Sequence, residues 1–265
     1  MNNLNKIKKS IVFIGFFIIT STGLAAPVDD LIAGAIRDNA SSVRSLVKKG
    51  IALNARDKKG RTALTTAIQQ QSQKVIPVLL QAQNIDINAT NQAGESPLML
   101  AIITEQNGLA RQLIARGAAI NKPGWTPLHY AATKGNIEMI QLLLDKDAYI
   151  DAGSPNRTTP LMMAAQYSGN PAAVQFLLQQ GADPWMKNQL GMTALEFARR
   201  GNNKDTVRII QNAQKTKKPQ YDVKPLVPLS PASAAELKGQ PIPDNIEPVE
   251  SIYPKETKAQ PLPAN

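Results

Sequence analysis

The apolar residues of this chain recur in short blocks whose spacing follows the turns of an α-helix. Within a block they return at intervals of three and four, as Leu128, Ala131 and Ala132 do, and again Ile140 and Leu144. That spacing places the apolar side chains on one face of a helix and predicts that this face is buried. Polar breaks containing Gly or Asn separate the blocks, so the pattern predicts a series of short helices.

The same stretch of sequence returns with a period of about 33 residues. A leucine marks the start of each copy, and successive leucines lie 30 to 34 residues apart, at Leu31, Leu64, Leu98, Leu128, Leu161 and Leu195. The clearest copy reads Gly124-Trp-Thr-Pro-Leu-His-Tyr-Ala-Ala132. A period of this length predicts a solenoid, in which each repeat stacks on the next.

These copies resemble the ankyrin repeat, which has a turn opening on Thr-Pro-Leu-His, two short antiparallel helices and a Gly-Ala ending. The resemblance runs from residue 29 to about 215. It implies an all-α ankyrin-repeat solenoid of about six helix-turn-helix repeats with short β-turn loops. We place the domain at residues 26–215, with repeats at about 29–59, 60–93, 94–123, 124–156, 157–190 and 191–215.

Local chemistry supports this interpretation. A Ser or Thr that can cap free N–H groups precedes most of the first helices, at Thr62, Ser96, Thr126, Thr159 and Thr193. Two departures stand out. The segment from Asn121 to Gly124 is three residues shorter than the equivalent segment from Asn88 to Gly94, so we expect a stunted loop. Asp147 replaces the glycine that closes the second helix of other copies, so we expect a strained ending there.

The N-terminus has the layout of a secretory signal peptide. Three lysines precede the apolar run of residues 11–19, and small residues follow as far as Ala26. A bilayer-spanning helix needs about 20 apolar residues, so we expect cleavage after Ala25 rather than a retained anchor. Residues 1–25 are therefore the predicted signal peptide, and we expect a periplasmic or secreted protein with no stable membrane insertion after cleavage.

The C-terminal residues 216–265 differ from the repeats in composition. They contain ten prolines and no apolar periodicity, which predicts a Pro-rich disordered tail. Loss of residues 1–25 would leave 27 basic and 20 acidic residues, a net charge of +7. That surplus fits either an acidic partner or a solvated basic face.

Little in the sequence indicates catalysis. There is no cysteine, which excludes disulfides, thiol catalysis and cysteine metal sites. His129 is the single histidine, and the resemblance implies that its imidazole bonds to neighbouring backbone and fixes a turn. The sequence contains no run of five basic residues, so it does not indicate nucleic acid as a partner. We predict a protein that is not an enzyme and uses no cofactor or metal.

The resemblance implies instead that the chain binds a partner protein through its concave face, made of loop tips and exposed first-helix positions. We expect a monomer. The candidate residues are Trp125, Lys134, Tyr167, Arg200, Lys122, Lys58, Lys59 and Arg61. We expect one continuous strip from Trp125 to Arg200. Trp125 leads the set because tryptophan and arginine are frequent binding hot spots. Alternatively, the short loop folds Trp125 onto copy three.

Several roles fit a binding protein of this kind. A scaffold or chaperone is one, and an inhibitor or immunity protein that neutralises an envelope toxin or enzyme is another. A less favoured alternative is an enzyme or a binder of an envelope polymer.

Overall fold

A computed structural model describes residues 25–216, which form twelve α-helices in six consecutive pairs. In chain order they are α1 (Ala25–Ile36), α2 (Ala40–Lys48), α3 (Ala63–Gln69), α4 (Val75–Gln81), α5 (Pro97–Ile103), α6 (Asn107–Ala115), α7 (Pro127–Lys134), α8 (Ile137–Leu144), α9 (Pro160–Tyr167), α10 (Pro171–Gln179), α11 (Ala194–Arg200) and α12 (Lys204–Thr216). The predicted all-α solenoid of six repeats is confirmed. Apart from residues 25 and 216, the predicted signal peptide and tail lie outside the described residues.

The helices form two layers. Each first helix of a pair packs on the first helices of its neighbours, as α7 does on α5 and α9, and most of the second helices contact one another in the same way. Leu98, Leu128 and Leu161 are fully buried in the first-helix layer. Within residues 25–216, no helix is both long enough and apolar enough to cross a bilayer.

Small residues let the first helices approach each other closely. A Cβ atom at Gly201, which follows α11, would lie 2.7 Å from the main-chain oxygen of Gln166 in α9. No side chain fits in that space, so the close contact between the last two repeats depends on glycine.

The predicted N-caps are present. The side chains of Thr62, Ser96 and Thr159 each accept a hydrogen bond from the backbone N–H three residues later, and the hydroxyl of Thr193 accepts one from the N–H two residues later. Thr126 differs, because its hydroxyl lies 2.9 Å from Nδ1 of His129. The copy that contains the single histidine therefore begins its first helix with a different network.

Within residues 25–216, six non-glycine residues have a positive φ, among them Asp147 and Arg157, each at a position where other copies have glycine. Asp147 has a φ of 60°, as expected from its place in the repeat. Arg157 has a φ of 62° at the loop position that other copies fill with Gly60, Gly94, Gly124 and Gly191. The Cβ atom of Arg157 crowds the backbone in this conformation, so that position is strained, whereas aspartate tolerates it better.

Candidate functional site

The candidate residues lie in two rows at opposite ends of the first helices. Lys134, Tyr167 and Arg200 are the last residues of α7, α9 and α11, and we call them the helix-end row. The loop row precedes α3 and α7 and consists of Lys58, Lys59, Arg61, Lys122 and Trp125. An eight-residue helix such as α7 is about 12 Å long. The surface formed by the first helices and the loops before them is called the first-helix face below. On this face the candidate residues therefore form two separate rows instead of the single strip that we expected from the sequence.

The helix-end row carries one aromatic ring between two cations. Tyr167 is 39% exposed, and Arg200 is exposed and forms no ion pair within the described part of the chain. Lys134 is different, since its Nζ lies 2.6 Å from Oε1 of Glu105, just after the preceding first helix. The charge of Lys134 is thus partly neutralised within the protein.

The first loop of the loop row combines free and paired cations. Lys58 and Lys59 are exposed at the tip. Arg61 donates from Nε to Asp57 at 2.8 Å, and its Nη2 lies 2.6 Å from the same carboxylate. Partial burial acts to raise the pKa of Asp57, but the hydrogen bonds and charge of Arg61 outweigh it and lower that pKa. Arg61 therefore serves mainly to fix its own loop.

Four of the loops share one construction. The side chain of the first loop residue accepts a hydrogen bond from the N–H four residues later, at 2.9 Å from Arg61 to Asp57 and at 3.0 Å from Met192 to Asn188. The loops that begin at residues 91 and 154 repeat this bond. Such side-chain caps hold each loop tip in one conformation.

The loop before α7 is built differently because it lacks three residues. Asn121 is bonded to the next repeat, donating to the carbonyl of Asp147 at 2.7 Å and accepting from the N–H of Tyr149 at 3.0 Å. Asn54 makes the same kind of bond to Asn84 in a loop of full length. The short loop therefore lacks the residue that caps the other loops, but it retains Asn121, which joins neighbouring repeats.

Lys122 closes this short loop. Its Nζ donates to the carbonyl of Pro123 at 3.2 Å and to that of Trp125 at 3.1 Å. The side chain is half-buried, and burial lowers the pKa of Lys122. In the other loops a side chain accepts a hydrogen bond from the backbone. In this loop the Lys122 ammonium instead donates hydrogen bonds to backbone carbonyls.

Trp125 is half-buried and packs on its own repeat. Its ring meets the imidazole of His129 edge-on, with the ring centroids 5.1 Å apart and the planes at 77°. This geometry is favourable for aromatic rings. Trp125 therefore packs on His129 of its own copy as well as contributing to the surface.

His129 joins two repeats. The imidazole is fully buried, and Nε2 lies 2.9 Å from the carbonyl of Thr158 in the next repeat. Nδ1 accepts from the N–H of Thr126 at 3.2 Å. Burial lowers the pKa of His129 to about 4, so the ring is neutral at pH 7. These contacts agree with the structural role that the sequence predicts.

Sequence reasoning missed the exposed apolar residue at the tip of the loop before α11. Leu190 is 69% exposed, and its N–H donates to Oδ1 of Asn188 at 3.0 Å. Aligning the copies places Leu190 opposite Lys59, so a comparison of the loop tips could have identified it.

The described residues contain no group of three or more His, Asp or Glu side chains placed to hold a metal ion. A shallow cleft beside the last repeat is lined by Trp185, Gln211, Gln214 and Lys215. None of these four residues is a carboxylate or a histidine.

Comparison with known proteins identifies the repeat. The family described as "Ankyrin repeats (3 copies)" matches residues 31–91, 81–154 and 147–222. The putative ankyrin repeat protein YahD of Escherichia coli strain K12 is 28% identical over 182 residues, which are 65% of this chain and 89% of that protein. The nuclear factor NF-kappa-B p105 subunit of Gallus gallus is 31% identical over 160 residues, or 58% of this chain. The match spans only 16% of the p105 subunit.

A solved structure is similar over most of the described fold. It is a chain from the complex of the predatory endopeptidase Bd0816 of Bdellovibrio bacteriovorus with the immunity protein Bd3460. The TM-score is 0.60 and the identity 29%, and the match covers 69% of this chain and 97% of that one. The two chains therefore share both the repeat architecture and detectable sequence similarity.

Proposed function

We propose, since this chain belongs to the ankyrin-repeat family, that it is a non-catalytic module that binds a partner protein through its concave, first-helix face. The single observation that carries the proposal is the helix-end row. Tyr167 and Arg200 are exposed at the ends of the first helices of adjacent repeats, and tyrosine and arginine are common binding hot spots. Stacked repeats form a continuous surface, so one partner can contact several repeats together.

The proposed site of action is the periplasm or the cell exterior. The support for this is the signal-peptide layout of residues 1–25, which predicts a mature chain that begins near Ala26. N-terminal sequencing of the envelope fraction tests it. A chain that still begins at Met1 and is recovered only in membranes would favour a retained anchor.

A second, narrower function is that of an immunity protein that binds and inhibits an envelope enzyme. The observation that favours it is the likeness to a chain from the endopeptidase–immunity protein complex, which extends over 97% of that chain. In this role the first-helix face would cover the active-site cleft of the enzyme. The net positive charge of the mature chain would favour an acidic enzyme surface.

Photocrosslinking in intact cells tests the binding face. A photoreactive amino acid is placed at Tyr167 or Arg200, and a matched variant carries it at Gln175, which is exposed on the second helix α10. We expect one discrete crosslinked protein from the first two positions and none from Gln175. Crosslinks from Gln175 alone would place the binding surface on the opposite layer.

The captured partner then separates the two roles. If it is an envelope hydrolase, adding the purified chain should abolish its activity in proportion to the amount bound. Full activity in the saturated complex would exclude the immunity role and leave that of a scaffold.

A further inference from the structure

The candidate cations differ in how far they are neutralised within the protein. Lys134 lies 2.6 Å from Glu105, and Arg61 lies 2.6 Å from Asp57. Lys122 is half-buried, yet no carboxylate lies within ion-pair distance of it among the described residues. Of these three, Lys122 is the cation whose charge has no internal counterion.

The hydrogen bonds that Lys122 makes leave one of its N–H donors for a further acceptor. An ammonium group has three N–H donors. Two of them can serve the carbonyls of Pro123 and Trp125, at 3.2 and 3.1 Å. Neutral carbonyls solvate a cation only in part, and burial lowers the pKa of this group. A carboxylate at the third donor would supply the missing counterion in a strong, charge-assisted bond.

The same loop also carries an apolar side chain, the indole of Trp125. Lys122 is bonded to the carbonyl of Trp125, and the indole of that residue is held edge-on against His129. The residue as a whole is only partly buried. The loop is three residues shorter than its neighbours, so the row of loop tips is interrupted at this position.

We infer that Lys122 and Trp125 anchor an acidic side chain of the partner protein, with its carboxylate on the Lys122 ammonium and its apolar neighbours on the indole. This inference rests on the proposed function and specifies the chemistry that the loop row recognises. The gap in the loop tips lets a protruding Asp or Glu of the partner reach Lys122. The preorganised ammonium and ring make the site selective, because neither has to be ordered on binding.

Two matched peptides test the anchor without the partner. They are the N-acetylated, C-amidated tripeptides Leu-Glu-Leu and Leu-Gln-Leu, titrated into the purified full chain. Binding is followed by the NMR resonance of the Trp125 indole N–H, identified as the one that remains in the Trp185→Phe variant. We expect the Glu peptide to bind about fivefold more tightly than the Gln peptide at low salt.

Two lysine variants assign this preference to a residue. Lys122→Met should make the two peptides equal, whereas Lys134→Met should keep the preference. If circular dichroism shows that Lys122→Met is unfolded, Lys122→Arg is used in its place. Because Lys122→Arg retains the charge, it should still bind the Glu peptide more tightly than the Gln peptide.

Three results would overturn the inference: equal binding of the two peptides to the unsubstituted chain, an unchanged preference in Lys122→Met, or a loss of preference in Lys134→Met. The peptide experiment is independent of the crosslinking described above. Its failure would leave a partner bound to the helix-end row, whereas failure of both experiments would remove the proposed function.

Discussion

A buried neutral imidazole makes the stability of this protein depend on pH. The pKa of His129 is about 4 in the folded state and 6.5 in an unfolded chain. Between these values the unfolded state binds a proton that the folded state excludes, so stability falls as the pH is lowered through this window. The full difference corresponds to about 3 kcal/mol. Urea unfolding at pH 7 and pH 4 measures it.

Carboxylates also titrate in the lower part of that window, and Asp57 is one whose pKa the fold lowers. The His129→Gln variant separates the two effects, because glutamine can still donate to Thr158 but does not titrate. We expect the variant to lose most of the pH dependence between pH 6.5 and pH 5. An unchanged profile would mean that the pKa of His129 in the folded protein is close to its value in the unfolded chain.

Trp125 packs on His129 and is also a candidate binding residue. Because its ring is half-buried against His129, Trp125→Ala should lower the free energy of unfolding by about 1–3 kcal/mol, less than truncation of a fully buried aromatic. Trp125→Phe keeps an edge-on ring and should lower it by less than about 1 kcal/mol. Thermal melting measures both variants. Equal stability of Trp125→Ala and the parent chain would show that the contact with His129 contributes nothing.

At the scale of the element, the loops store strain that a single substitution can release. Arg157 has a φ of 62° where four other loops carry glycine. Arg157→Gly should stabilise the protein by about 0.5–1 kcal/mol, because glycine adopts this conformation without a steric penalty. Lys59→Gly is the matched control, since its backbone has no positive φ, and it should destabilise slightly. Destabilisation by Arg157→Gly would show that the arginine side chain contributes more than its backbone costs.

The repeating elements could be predicted from the sequence, whereas the exceptional loop could not be predicted in detail. Apolar spacing and caps such as Thr62 and Ser96 recur in register, and therefore indicate the helices and where they begin. The missing three residues were also visible. The bonds from Lys122 to main-chain carbonyls were not, because they depend on how a long side chain folds back over a loop that has no second copy in the chain.

The arrangement of the candidate residues shows a second limit. Trp125 and Arg200 both belong to the first-helix face. The sequence does not show that Trp125 lies one helix length away from the helix-end row, to which Arg200 belongs. The ion pair between Lys134 and Glu105 joins two repeats and could not be inferred from either repeat alone. The identity of the partner of Lys134 depends on how neighbouring copies stack, which the pattern within one copy does not give.

For the whole molecule, we expect two regions with different resistance to proteases. The repeats of residues 26–215 bury a continuous apolar core, whereas residues 216–265 have no apolar periodicity. Limited proteolysis followed by mass spectrometry should release the tail early and leave the repeats intact. Equal protection of the tail would mean that it docks on the repeats.

The central claim is that the first-helix face binds a protein. It is tested most directly by calorimetric titration of the crosslinked partner, once identified, against two double variants of the chain. Tyr167→Ala with Arg200→Ala alters the helix-end row, and Gln175→Ala with Lys146→Ala alters exposed residues on or just after second helices. We expect the first pair to weaken binding at least about tenfold and the second to change it less than about twofold. Equal effects of the two pairs, or a loss confined to the second, would contradict the claim.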